Sequence, residues 1–250
     1  MSFDWRILLE IEPGGTGTYL RYLLVGLLWT LGTALAAWVI ALAIGAIVGT
    51  LRTTPMKWAV RLGNLYVEIF RNVPLIVQMF LWFFVVPEFL PKGLGDWIKQ
   101  QPPPWGMYIP AVICLGIFTS VRVAEQVRAG INSLPRGQRM AAIAMGLTET
   151  QAYRYVVLPQ AFRIILPPLT SESMNIIKNS SVALTIGLLE LTGRARSMQE
   201  FSFHVFEAYA TATILYLLTN LTVVLLMRAL EKKVRVPGLI AAAGAPQAGH

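Results

Sequence analysis

From Tyr22 to Leu51 the chain runs thirty residues without a charged side chain. A helix of that length rises about 45 Å, more than the roughly 30 Å of hydrocarbon in a bilayer. Such a run has little use in a soluble chain of 250 residues, but it spans a membrane with room to tilt. Composition agrees. With 55% hydrophobic and 14% charged residues and a mean hydropathy of +0.58, the chain is too apolar for an ordinary soluble domain. The net charge of +8 raises nucleic acid as a partner. However, the basic residues stand at the ends of apolar runs and not in one stripe, which is how charge orients a chain in lipid. Nucleic acid is therefore not expected as a partner, and membrane lipid is the expected surrounding.

The pattern predicts an all-α membrane protein with five spans, at 22–51, 62–86, 106–131, 164–189 and 206–227. The second carries Glu68 and Arg71 and is interrupted by Pro74; the fourth runs through Pro167 and Pro168. A Pro- and Trp-rich stretch, Pro87 to Trp105, reads as an outer connection. The first residues lack the basic start and short apolar core of a cleaved signal. The last, 236–250, mostly Ala, Gly and Pro, read as a disordered tail beyond a membrane domain at 1–235. Lys and Arg number eleven on the proposed inner segments and six on the outer ones. That bias places the N-terminus outside, the C-terminus inside and the loop at 133–159 in the cytoplasm. No internal repeat is visible, and five spans do not divide into two inverted halves, which weighs against a self-contained secondary transporter.

The loop at 133–159 is the polar, basic exception. Met140, Ile143 and Leu147 fall on one face of a first short helix, with Arg136 and Arg139 away from it. Gly146 suits the helix's C-terminal cap. Thr148 and Gln151 match a capping box for a second short helix, which Pro159 is expected to end. By pattern alone, an interfacial hairpin that merely joins two spans fits as well as a docking element. A DNA-reading helix pair has too little room between spans.

The row AAIAMGLTETQAYRYVVLPQAF resembles the signature cytoplasmic loop of ABC importer permeases, with Ala141, Ala142, Gly146, Leu158 and Pro159 at the family's spacing. The resemblance implies that Gly137, Gln138, Met140, Ala141, Ala142, Gly146, Leu147 and Pro159 form a coupling helix seated in a groove of an ATP-hydrolysing subunit. Met140 departs from the pattern, since the family's usual residue there is Glu. Further stretches, IFRNVPLIVQMF, AEQVRAGINSLPRGQ, LPQAFRIILPPL and IIKNSSVALTIGLLELTGRA, resemble polar amino acid importer permeases, and TSVRVAEQVRAGINSLPRGQ with KNSSVALTIGLLEL resembles glutamate/aspartate permeases. Membership of that family implies a multi-pass protein of the bacterial inner membrane. Its expected partners are a pair of ATP-binding subunits, a second permease that is identical or similar, and an extracytoplasmic solute-binding protein. Its expected solute is a polar amino acid, in the first instance glutamate or aspartate, with another polar or basic amino acid as the alternative.

Charges within spans must face protein or water. Glu68 with Arg71 and Glu125 with Arg128 stand at i, i+3, close enough to pair with each other. In the fourth span Glu172, Asn175 and Asn179 share one helical face, while Lys178 and Ser181 form a second polar row. Packing against a neighbouring span and lining a solute path both suit such a stripe. A zwitterionic amino acid fits the path reading: its carboxylate accepts from Lys178 or the Asn amides, and its ammonium donates to Glu172. The chain lacks G-x-x-x-x-G-K-[ST], so it has no phosphate-cradling loop and is not expected to be an enzyme. Its two histidines, His204 and His250, make no metal pair, and no cofactor is expected. A membrane-embedded enzyme and an ATP-independent channel are the rival classes.

Overall fold

The uncharged run forms a single helix, α1 (Tyr19–Leu51), in a computed structural model that describes residues 3–234. The expected tail at 236–250 lies outside the described residues. Thr18 caps α1 by accepting from the Arg21 backbone N–H at 3.3 Å. The chain ahead of it is tied to the last helix: the Phe3 ring sits 4.3 Å from Phe206, and the Asp4 N–H donates to Glu207 Oε1 at 2.8 Å.

After α1 come α2 (Lys57–Asn72) and α3 (Leu75–Phe80), then a π turn (Leu81–Val85) and α4 (Val86–Phe89). A short α5 (Lys92–Lys99) leads to the long α6 (Trp105–Asn132). The loop holds α7 (Arg136–Ala144) and α8 (Glu149–Ala152), followed by a second π turn (Tyr153–Val157). The described residues close with α9 (Leu158–Asn179), a 3-10 turn (Ser180–Ile186), α10 (Leu191–Ser202) and α11 (Val205–Val234).

α1, α6 and α11 are each long and apolar enough to cross a membrane. A fourth crossing is reached if α2 is taken together with the segment Leu75–Phe89, and this pair is bent by 100°. The sequence expectation of 106–131 matches α6 within a residue at each end. The expected interruption of 62–86 at Pro74 takes the form of two helices at a steep angle. The cause is local: proline disfavours the α region for the residue before it, and Val73 is extended at φ −100° and ψ 127°. The stretch 164–189 is also not one helix. It is helical to Asn179, tightens into the 3-10 turn and stops at Gly187, whose φ is +89°. Its polar residues keep it from passing as a span on composition.

A break inside a membrane frees backbone carbonyls that water cannot reach. Gln78 satisfies two of them, its Nε2 donating to Phe70 O at 2.8 Å and Val73 O at 2.9 Å. Elsewhere, close packing depends on small residues. The buried stripe of α1 contains Gly26, Ala34, Ala37, Ala41, Gly45 and Gly49, while Leu28, Leu35, Val39 and Ile47 are exposed. A Cβ on Gly45 would lie 2.5 Å from Val123 Cβ, and one on Gly49 would lie 2.7 Å from the Ala124 carbonyl. The backbones of α1 and α6 therefore approach each other directly, the usual basis of helix association where lipid offers no hydrophobic drive. α9 packs on α6 and α11, and α10 on α1 and α11. The α10 junction is polar: the buried Glu190 accepts from Gly193 N–H at 2.9 Å, Thr30 Oγ1 at 3.1 Å and Tyr216 Oη at 2.8 Å, joining three helices.

Candidate functional site

The loop folds as two short helices meeting at a glycine. Gly146 has φ +91°, and its N–H donates to Ile143 O at 2.9 Å while the Leu147 N–H reaches Ala142 O at 3.2 Å. These are the two bonds of a Schellman cap. The capping box is present as well: Thr148 Oγ1 accepts from Gln151 N–H at 3.3 Å and Gln151 Oε1 accepts from Thr148 N–H at 2.9 Å. The two alanines divide between faces. Ala142 is buried on the side of α7 that packs on α8 and the π turn, whereas Ala141 is exposed beside Met140 (63% exposed), Ile143 and Met145 (77%). Gly137 and Gly146 are exposed with open space where a Cβ would point, and Leu147 is half-buried. The loop thus presents a shallow apolar surface made by Met140, Ala141, Ile143 and Met145.

Its back is held to the membrane helices. Arg139 donates to both Glu149 carboxylate oxygens, at 2.7 and 3.0 Å, and lies 5.6 Å from the centre of the Tyr153 ring. The Tyr153 hydroxyl donates to Thr53 O at 2.6 Å, just beyond the end of α1. The hydrogen bonds from Arg139 hold the Glu149 carboxyl below its ordinary value of 4.5. Between loop and body lies a cleft of ≈ 660 Å³ whose walls include Thr53, Asn132, Gln138 and Tyr153, with Gln138 Oε1 buried and without a hydrogen-bond partner.

Pro159 does not end the second helix. The backbone stays helical from α8 through the π turn into α9, and Pro159 sits in the first turn of α9. The Leu158 N–H bonds to Tyr153 O, five residues back. This wider turn absorbs the residue whose missing N–H and bulky ring would disrupt an ordinary α turn. The same device precedes Pro87, where the Val86 N–H bonds to Leu81 O. α8, the π turn and α9 are consequently one continuous rod.

Along that rod Glu172 is buried and faces α6. Its Oε2 lies 3.6 Å from Arg122 Nη1 and 3.5 Å from Asn175 Nδ2. Asn175 and Asn179 are half-buried and Lys178 is exposed. Among the described residues Lys178 has no ion-pair partner. Ser181 turns its hydroxyl back onto the Lys178 carbonyl at 2.7 Å, where it closes the end of α9. The structure therefore brings Glu172 and Asn175 together and adds Arg122, fifty residues away in sequence. No local spacing signals that pairing.

Of the two expected internal ion pairs, Glu125 with Arg128 forms. Among the described residues Glu68 and Arg71 form no ion pair. Glu125 is 3.9 Å from Arg128 but 3.0 Å from Arg52, which follows directly on α1 and which the fold buries. A partner across the helix interface reaches the carboxylate at hydrogen-bond distance, while one on the same helix stops short of it. Among the described residues, no three His, Cys, Asp or Glu side chains converge to hold a metal ion.

Residues 41–236 match the family described as binding-protein-dependent transport system inner membrane component. The chain belongs to that family. This permease is also 48% identical over 241 residues to the glutamate/aspartate import permease protein GltJ of Escherichia coli O6:H1, covering 95% of this chain and 98% of the relative. The glutamate/aspartate import permease protein GltK of the same organism is 29% identical over 93% of this chain and 98% of its own. A crystal structure of an amino acid ABC transporter with histidines superposes with a TM-score of 0.75 at 29% identity, over 93% of this permease and 100% of the solved chain. The permease is thus the inner-membrane, multi-pass component of an ABC importer, a subunit that does not itself catalyse, as its lack of a nucleotide-binding loop led one to expect.

Proposed function

We propose that this permease imports glutamate and aspartate. The 48% identity, over nearly the whole length, to a protein named for that import carries the reading. The membrane domain, 1–235, has five crossings, the bent α2–α4 pair and the α9 rod with its 3-10 turn supplying two of them. The N-terminus lies outside, and the C-terminus and the 133–159 loop lie in the cytosol. The partners are a pair of ATP-binding subunits, an outer solute-binding protein and a second permease. GltK standing beside GltJ in one organism favours a similar, non-identical second permease.

Closure of the ATP-binding subunits presses on the surface around Met140, Ala141 and Met145. The continuous α8–α9 rod carries that push to Glu172 and Asn175, giving alternating access. An acidic amino acid lies there with carboxylate oxygens on Lys178, Asn175 or Arg122 and its ammonium on Glu172. The loop holds through shape, since Met140 has no charge to offer.

The complete complex in proteoliposomes, with ATP on the loop side and solute-binding protein on the other, tests this with labelled L-glutamate, L-aspartate, L-glutamine, L-histidine and L-arginine. Uptake dominated by the two acidic amino acids is expected. Dominance by a neutral or cationic one overturns the solute assignment, and flux that persists without ATP overturns the importer mechanism in favour of a channel.

A further inference from the structure

A second polar chamber lies between α1, α2 and α6, away from the Glu172 stripe. Its volume is ≈ 240 Å³, and Arg52, Asn64, Val67, Glu68, Arg71, Glu125 and Arg128 line it. At about 30 Å³ per water it has room for about eight waters, enough for one small solute. Val67 is its single apolar wall, so it offers no slot for an acyl chain.

Arg52 is built into this chamber. Its stem passes over Gly63, where a Cβ would stand 2.5 Å from Arg52 Cγ. Its Nε donates to Asn64 Oδ1 at 2.8 Å and its Nη2 to Glu125 Oε1 at 3.0 Å. The third corner of the guanidinium, Nη1, is buried without a partner, although the whole side chain is only 5% exposed. A buried charged donor left unpaired is costly to a fold, and here it keeps an uncompensated positive charge behind the chamber wall. Two further guanidinium groups surround the space. Arg128 is 3.9 Å from Glu125, too far for a hydrogen bond, and Arg71 makes no ion pair among the described residues. Three arginines against two glutamates leave one positive charge in excess.

We infer that this chamber binds a small anionic amino acid, its carboxylate on Arg128 and Arg71 and its ammonium on Glu68, with the buried Arg52 adding positive charge at the back wall. The net charge of the chamber complements the single negative charge of glutamate or aspartate, and the planar guanidinium matches a carboxylate. The chamber is a second station beyond the Glu172 stripe, on the loop side. α6 links the two: Arg122, Glu125 and Arg128 follow at i, i+3 and i+6, about 9 Å along its axis, with Arg122 reaching Glu172 and the others facing the chamber. This assignment rests on the proposed acidic solute and on the cytosolic placement of the loop.

The test is inhibition from the loop side. The complete complex is reconstituted with graded L-glutamate trapped on the ATP side, and uptake of whichever solute the panel shows to be carried is measured from the other. Internal L-glutamate should inhibit, and L-glutamine, its neutral isostere, should do so far less. Inorganic phosphate serves as the arm for an unspecific oxyanion site. Arg128→Gln and Arg71→Gln, which remove no buried contact of Arg52, should each raise the inhibition constant about tenfold or more, the weight of one charge-assisted hydrogen bond. No inhibition in the unaltered complex, constants unchanged in both variants, or phosphate and glutamine matching glutamate would each show the chamber to hold only water or unselective ions. The two readings fail separately: a non-acidic solute in the uptake panel sinks the proposed substrate, while the inhibition constants still decide the chamber.

Discussion

Gly146 is held in the left-handed region with open space where a side chain would point, so substitution there is resisted by backbone conformation and not by collision. Gly146→Ala should cost the loop about 1 kcal/mol, read as reduced amide protection of α7 in hydrogen exchange. Gly146→Trp adds bulk to the exposed surface as well, and should leave ATP hydrolysis running while uptake falls; vesicles that import at the normal rate would remove the docking role. The Arg139–Glu149 pair sets a pH limit on the same loop. Glu149 titrates below its ordinary value of 4.5 because Arg139 hydrogen bonds to its charged form. A depressed carboxylate stabilises the folded loop above its unfolded value and loses that effect as pH falls through the folded one. Protection of α7 and α8 should hold at about pH 6 and decline below about pH 4.5, and Glu149→Gln should flatten that decline.

At the level of elements, prolines that read as stops turn out to be joints of two kinds. Pro74 bends the chain because the residue before it is forced out of the helical region, and Gln78 makes the bend tolerable by capping Phe70 O and Val73 O. Gln78→Leu should destabilise the purified complex by about 2 kcal/mol, the order expected for buried carbonyls left unpaired, and should lower its thermal midpoint. An unchanged midpoint would mean that water or a neighbour replaces the amide. Pro87 and Pro159 do not break their helices, because a π turn ahead of each supplies the extra residue that the ring requires. For Pro159 the result bears on the proposed coupling: a loop hinged at that point would flex, whereas a continuous α8–α9 segment suits the transmission of a push.

Across the whole molecule, three carboxylates stand where helices distant in sequence face one another. Glu172 meets Arg122 from α6, Glu125 meets Arg52 from the end of α1, and Glu190 joins α1, α10 and α11 through Thr30, Gly193 and Tyr216. Glu190 has only hydrogen-bond donors around it and caps a helix, so its place is architectural. Glu172 keeps a 3.6 Å ion pair with Arg122, and Lys178, six residues on, is exposed; the proposed solute path rests on these two. Lys178→Gln and Asn175→Ala should each lower uptake efficiency about tenfold or more with assembly and basal ATP hydrolysis intact. Full retention of uptake in both would make the stripe a packing surface.

Sequence alone determined the class of molecule and the design of its loop. Both rest on short-range physics: the length of an uncharged run against bilayer thickness, a glycine where only a glycine is unstrained, and a Thr and a Gln three residues apart that cap one helix. It also marked out a polar stripe of Glu172, Asn175 and Asn179 with Lys178 and Ser181 as a second row, of which the structure brings Glu172 and Asn175 together. Tertiary structure alone decided that 62–86 bends by 100°, that Pro159 lies within a continuous rod, and that Arg52 and Arg122 belong to the buried polar network. Those outcomes depend on which helix stands opposite. A charge within a membrane takes the partner that completes its hydrogen bonds in space, and adjacency along the chain does not reveal which partner that is.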